Sequence, residues 1–347
     1  MIQDMAGPEF YASSYKTRHK SKPGLTKTHC GLFKDLVECQ EDYELVPDSD
    51  FTSGSTSERY LFTSIPIPAE SCWIRGGAPT PPAPSNQNCK KLPIPETESE
   101  HAPICVLKIY DETTANSLKL NDCVDVVGIL YWDFSSESAV NGSSASNEEP
   151  SAEKRSRTQT EPVLRLHALK VEKLLHSNPK VPFAAPFCYD DLNLRISIKD
   201  LRKRIMDAFT AILGGDSLAA EFLLCHLIST VHIRHEMVPV GKLALNLYGL
   251  PTGDFCSNLS ECLSQLVTKH HYLPLTIDNL NKRSFVPKKN HTTDQLDSAL
   301  LQLSAGTELC LDETKMSPGQ LNDTGVRNVA ALRTLITWQM YLNQEIH

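Results

Sequence analysis

The pattern of apolar positions changes character near residue 186. Before it, the apolar runs are short and rich in β-branched and aromatic residues: 60–65 (Tyr-Leu-Phe-Thr-Ser-Ile), 104–110 (Ile-Cys-Val-Leu-Lys-Ile-Tyr), 124–131 (Val-Asp-Val-Val-Gly-Ile-Leu-Tyr) and 163–169 (Val-Leu-Arg-Leu-His-Ala-Leu). Runs of this length and composition, several of them alternating, predict strands. The segment 118–122 turns into the third strand, and Gly128 relaxes that strand's curvature. Short curled strands with long insertions between them predict a small barrel, of which the OB type is the leading form.

Past residue 186 the period becomes helical. Ile198, Leu201, Ile205, Phe209 and Ile212 fall on one helix face. Ser197 is placed to cap its start, with Asp200 three residues on, and Gly214-Gly215 to end it in a left-handed turn. Asp216 caps a second predicted helix running to about His232, apolar nearly all round and therefore expected to be buried. A strand is predicted at 243–248, followed by a helix with Phe255, Leu259, Cys262, Leu263 and Leu266 on one side. Apolar runs at 300–303 and 309–311 flank a Ser-Ala-Gly-Thr turn. Alternating strands and helices predict a layered α/β domain.

Two stretches break the pattern. Residues 76–103 carry seven prolines, which obstruct helices and sheet ladders alike, and read as a linker. Residues 135–161 are Ser-, Glu- and Asn-rich with almost no large apolar side chain, and are expected to lack order. The predicted organisation is therefore a multidomain α+β chain. A first β part spans 1–75, then come the linker at 76–103, further OB-like strands at 104–134, the insertion at 135–161 and a last strand with its connector at 162–186. An α/β domain occupies 187–347.

A net charge of −8 disfavours wholesale wrapping of nucleic acid. No signal peptide is visible at the start, and the most apolar stretch, 218–231, is short and contains Glu221 and His226, so no membrane span is expected. The 11 cysteines form no CxxC pair, and Cys105, Cys123, Cys225 and Cys310 lie in apolar runs as small hydrophobes would. Neither a disulfide framework nor a metal site is expected, and a reducing compartment fits best.

The chemistry-bearing motifs lie in the second half. Leu309-Cys310-Leu311 leads into Asp312-Glu313, the Walker B arrangement, in which the Asp helps hold Mg²⁺ and the Glu polarises water. Earlier, Tyr248-Gly249-Leu250-Pro251-Thr252-Gly253-Asp254-Phe255 stands where a phosphate-cradling loop would stand. Such a loop needs a lysine after its second glycine. Here Gly249 and Gly253 are one residue too close, Asp254 replaces the lysine, and no Lys or Arg occurs from Leu243 through Thr268. A carboxylate beside a triphosphate is repulsive, so no nucleotide cofactor and no catalysis are expected. His232-x-x-His235 with Glu236 has metal-ligand spacing, but polar residues are common at helix ends, and the ligand reading is the weaker one. Near the front, Tyr15, Lys16, Arg18, Lys20 and Lys22 belong to a basic stretch (11–29) that also holds Tyr11, His19 and Lys27. Basic and aromatic residues together can grip single-stranded nucleic acid, against the competing reading of a solvated loop.

Several blocks resemble the minichromosome maintenance (MCM) complex-binding protein family. They are Met1-Ile2-Gln3-Asp4-Met5 with Pro8-Glu9-Phe10-Tyr11, the helix block Gly215–Val231, Val238-Pro239-Val240-Gly241-Lys242, Leu301-Gln302-Leu303, Leu311-Asp312-Glu313-Thr314 and Leu335-Ile336-Thr337-Trp338-Gln339. The resemblance implies an OB-containing front half and an AAA+-like, MCM-like rear half with a degenerate P-loop. It also implies a non-enzymatic nuclear protein, chromatin-associated, that binds MCM helicase subunits, promotes their unloading from chromatin and acts in sister-chromatid cohesion. On that resemblance Met1 is expected to stand inside the family's length, and the rear domain to be incomplete after Gln339. The alternative is a single-stranded nucleic-acid-binding OB-fold replication protein using the 11–29 patch; on the adaptor reading, nucleic-acid contact is weak.

Overall fold

A computed structural model describes residues 1–35, 37, 39–46, 56–74, 104–132, 164–179, 181, 197–236, 238–250, 253–291 and 295–340. The expected linker at 76–103 and the 135–161 insertion lie outside the described residues, as do residues 182–196, which include the end of the segment expected as last strand and connector (162–186). The chain divides into two compact units, the first built from Met1–Pro66 and His101–Lys173, the second from Ile67–Ala83 and Leu174–His347, with short further pieces of each among the residues not described.

The first unit contains strands β1 (Ile2–Ala12), β2 (Ser14–His19), β3 (Lys22–Cys30), β4 (Tyr43–Leu45), β5 (Thr56–Ser64) and β6 (Cys105–Ile109), helix α1 (Glu112–Ser117), and strands β7 (Val124–Trp132) and β8 (Leu164–Lys173). The predicted runs at 60–65, 104–110, 124–131 and 163–169 lie within or largely within β5, β6, β7 and β8. They join β1 in one sheet of order β1-β5-β6-β8-β7, antiparallel except for the parallel pair β6–β8. Among the described residues this sheet does not close into a barrel. One edge strand, β1, instead bonds the turn that leads into the other, β7: Ile2 N–H donates to Asp122 O (2.9 Å) and Asn121 N–H to Ile2 O (2.8 Å). Gly128 sits at a bulge where a Cβ would lie 2.3 Å from His167 O, so glycine is required there by close approach of backbones.

Period-2 alternation sorts this sheet into two faces. Ile2, Phe62, Leu107, Ile109 and Ala168 turn to one side and form the core with Ala115 and Leu118 of the α1 region. Arg59, Lys108 and His167 alternate with them and are also buried. Strands β2, β3 and β4 form a separate three-stranded sheet of order β3-β2-β4.

The second unit contains α2 (Ile198–Ile212), α3 (Ser217–Ile228), β9 (Ile233–His235), β10 (Val238–Val240), α4 (Phe255–Leu266), β11 (His270–Pro274), α5 (Ile277–Lys282), β12 (Lys288–Asn290), β13 (Gln295–Asp297), β14 (Glu308–Asp312) and α6 (Asp323–Trp338). Residues 67–74 belong here: Glu70 bridges to Lys269, and Ser71 N–H and Oγ bond to Thr268 O and Val267 O. Two cores form. Phe209, Ala220, Leu223, Leu259 and Leu263 join α2, α3 and α4. Leu273, Leu275, Leu280, Phe285, Leu300, Leu301 and Leu332 join β11, α5 and α6.

Three sequence expectations are corrected in this unit. α3 ends at Ile228, not His232. Ser229 takes extended geometry, its hydroxyl bonds His226 O (2.8 Å), and the β-branched run that follows enters β9. His232 and His235 therefore share no helix. Nor is α3 buried all round: Ala220 and Leu223 are, but Leu218 (66 %), Phe222 (48 %), Ile228 (70 %) and Cys225 are exposed. Residues 243–248 form no ladder among the described residues. Leu243 is held by Ser229 and His226, and Leu245 and Leu247 pack on the Phe209 core. The whole is a mixed α+β structure with several small sheets.

Candidate functional site

β14 runs parallel to β11, pairing Pro274 with Asp312 at its end. Asp312 is 2 % exposed. Its Oδ1 accepts the Thr314 N–H (2.9 Å) and hydroxyl (2.6 Å), its Oδ2 accepts the Tyr272 hydroxyl, and the Cys256 thiol also bonds to the carboxylate. Burial pushes this carboxyl's pKa up, but the bonds from Thr314 and Tyr272 outweigh burial and hold it below the usual value. The same contacts act in reverse on the donors. Burial and then Asp312 push the Tyr272 phenol up to about 12, and burial followed by Asp312 raises Cys256. Glu313, the second acid of the pair, is exposed and opens a short 3₁₀ turn capped by Asp312 itself.

Cys256, in the first turn of α4, brings the start of that helix next to this carboxylate, and the glycine loop precedes the helix in the chain. Gly249 (φ 71°) and Gly253 (φ 112°) both adopt the left-handed region, with open space where a Cβ would be. Pro251 and Thr252 between them lie outside the described residues. Asp254 occupies the N-cap of α4 but makes no side-chain cap bond. Lys315 acts electrostatically on the Cys256 thiol, lowering its pKa against the effect of burial. The structure thus brings the α4 N-terminus and Asp312 together. It leaves Glu313 in solvent, and it fills the carboxylate's acceptor positions with protein donors. A Mg²⁺ ion would have to displace them. Among the described residues, no group of three or more His, Cys, Asp or Glu side chains could hold a metal ion, and no single helix is long and apolar enough to cross a membrane.

The basic stretch is divided by the β2–β3–β4 sheet. Tyr15 lies opposite His29 and stacks on it (5.0 Å between centroids), on the face that also carries Thr17, Lys27 and Tyr43. Lys16 and Arg18 alternate to the other face, where Arg18 pairs with Glu44 (2.6 Å). Lys20 donates to Glu41 O (2.7 Å), and Lys22 begins β3.

Sequence reading missed a charged cluster on the second face of the five-stranded sheet. Asp35 accepts from Lys108, from Arg165 (3.2 Å) and from Arg59 (3.0 Å), while Glu9 takes Arg59 (2.7 Å) and Lys108 (3.2 Å). Tyr110 links Arg59 to His167, its oxygen 2.7 Å from His167 Nδ1. Although burial opposes ionisation of Asp35, the facing His167 ring (3.7 Å) and the bonds from Lys108 and Arg165 hold the carboxyl far below the usual range. The signal lay in the alternation, which put Arg59, Lys108 and Arg165 at polar positions of strands. Nothing in that pattern says residues 31–35 will cover them.

These features define a two-unit α+β protein whose second unit buries Asp312, already bonded to protein donors, beside the first turn of α4. A family model described as mini-chromosome maintenance replisome factor matches residues 1–81 and 77–342, and the chain belongs to that family. Curated relatives named mini-chromosome maintenance complex-binding protein are similar along almost all of it. The zebrafish (Danio rerio) protein is 32 % identical over 416 aligned positions, covering 98 % of this chain and 64 % of its own length. The Homo sapiens protein is 30 % identical, covering 98 % and 65 %, and the Arabidopsis thaliana protein 31 %, covering 98 % and 64 %. The chain therefore spans about 64 % of the length of the relatives it matches.

Proposed function

We propose that this chain is a non-catalytic adaptor that binds subunits of the mini-chromosome maintenance complex. The observation that carries this reading is the state of Asp312. It is buried and already bonded to Tyr272, Thr314 and Cys256, beside the start of a helix whose N-cap residue is Asp254 where a phosphate loop would need a lysine. A scaffold of this kind can keep the docking surfaces of an ATPase subunit without its chemistry, and compete with like subunits for heterologous contacts in a ring. That competition would favour unloading of the complex from chromatin, in the nucleus, with a consequent role in sister-chromatid cohesion. The names of the relatives, which align with 98 % of this chain, support the partner.

The domain readings belong to the same proposal. The five-stranded sheet, with one parallel pair and β1 bonded at Ile2 to the turn that leads into β7, supports an OB-like front unit. The parallel pair β11–β14 ending beside the α4 N-terminus supports an AAA+-like rear unit.

The test is capture of purified MCM subunits by this chain, with and without Mg-ATP. Capture unaffected by ATP and retained in Glu313→Gln supports the adaptor reading. ATP turnover lost in Glu313→Gln would overturn it.

A further inference from the structure

We propose that the β2–β3–β4 sheet binds single-stranded nucleic acid on the face carrying Tyr15, Lys27, His29 and Tyr43. In a chain of net charge −8, residues 14–30 hold Lys16, Arg18, Lys20, Lys22 and Lys27 and no Asp or Glu. Charge complementarity therefore selects a polyanion. The arrangement of rings selects which one. Tyr15 and His29 form a stacked pair with planes 15° apart, and Thr17 Oγ1 lies 2.8 Å from His29 Nε2, fixing that ring. Lys27 Nζ sits 4.4 Å over the Tyr43 ring, and His19 meets the same ring edge-on at 5.1 Å. Thr17 lies among these side chains and is 2 % exposed, while Tyr15, His19, His29 and Tyr43 are half-buried and Lys27 is exposed, so the face offers part of each ring together with a cation.

Bases stack on such a layer only when unpaired, whereas a duplex offers phosphates and groove edges but keeps its base faces stacked inside. The acidic residues nearby limit the path. Glu44 is engaged by Arg18 on the opposite face, and Glu41 and Asp42 precede β4. A strand would therefore follow the β2–β3 side, with Lys27 and Lys22 taking phosphates.

The experiment is fluorescence anisotropy of labelled oligo-dT and oligo-rA with the whole chain, free of other proteins, so its outcome is independent of MCM binding. The expected result is single-strand binding whose log affinity falls with log salt at a slope of about −2, as about three phosphate contacts would give. Tyr43→Ala should weaken it about tenfold while Tyr43→Phe retains it, and Lys27→Glu should weaken it and flatten the slope. Far-UV circular dichroism confirms that each variant folds. Absence of binding would overturn the proposal. So would equal competition by duplex DNA or polyglutamate, or binding indifferent to Tyr43→Ala, since either shows charge without base recognition.

Discussion

Asp35 and Asp312 are both buried carboxylates held ionised, by different means. Asp35 is surrounded by cations, two of which, Arg59 and Lys108, are themselves only 3 % exposed. Removing it strands buried positive charge, so Asp35→Ala should cost about 3–5 kcal/mol, read from urea unfolding. Loss of less than about 1 kcal/mol would mean the cluster is solvated. Asp312 is held by neutral donors. Its folded pKa is lowered, so its contribution is complete above the unfolded value and fades as pH falls through the folded one. His271 adds to the same acid sensitivity. Burial, then His270 and Arg283, push its pKa down from 6.5 to about 4. The unfolded chain binds that proton more readily, so stability is full above pH 6.5 and about 3 kcal/mol is lost as pH falls to 4. His271→Phe should flatten that part of the stability–pH curve. An unchanged curve would remove His271 as the cause.

At the level of elements, local signals were legible where they satisfied themselves locally. Ser197 and Asp216 cap α2 and α3 as their positions in the sequence predicted, and Gly214 and Gly215 take positive φ. The strands at 60–65, 104–110, 124–131 and 163–169 were readable from composition, because burial on both faces suits β-branched and aromatic side chains. What depended on distant partners was not readable. The 243–248 run has strand composition, yet Ser229 and His226 hold its start and the Phe209 core receives its leucines. The Asp254 and Asp312 positions were visible as motifs, but Tyr272, Thr314 and Cys256 acquire meaning only once β11, β14 and α4 meet. A second junction of this kind joins α5 to α6. Asn328 Nδ2 donates to Leu280 O (2.8 Å) and Arg283 O (2.7 Å), and its Oδ1 accepts the Phe285 N–H (3.2 Å). Asn328→Ala would leave these backbone groups unpaired in the core and should destabilise the second unit by about 2–4 kcal/mol in denaturant unfolding. A change within about 0.5 kcal/mol would show that water replaces the amide.

For the whole molecule, the proposed adaptor role joins family membership to an Asp312 whose acceptor positions are filled by protein donors. The chain covers 98 % of itself against relatives named for binding the mini-chromosome maintenance complex, and about 64 % of their length. The exposed apolar side chains of α2 and α3, among them Ile198, Leu218, Phe222 and Ile228, show that the second unit keeps apolar surface beyond its own cores. The most direct measurement is a titration of the fluorescently labelled 347-residue chain with each purified MCM subunit, in the presence and absence of Mg-ATP. The account predicts saturable binding to at least one subunit, with an affinity that ATP does not change and no phosphate released by the chain alone. Absence of binding to every subunit, or binding that requires ATP hydrolysis by this chain, would contradict it.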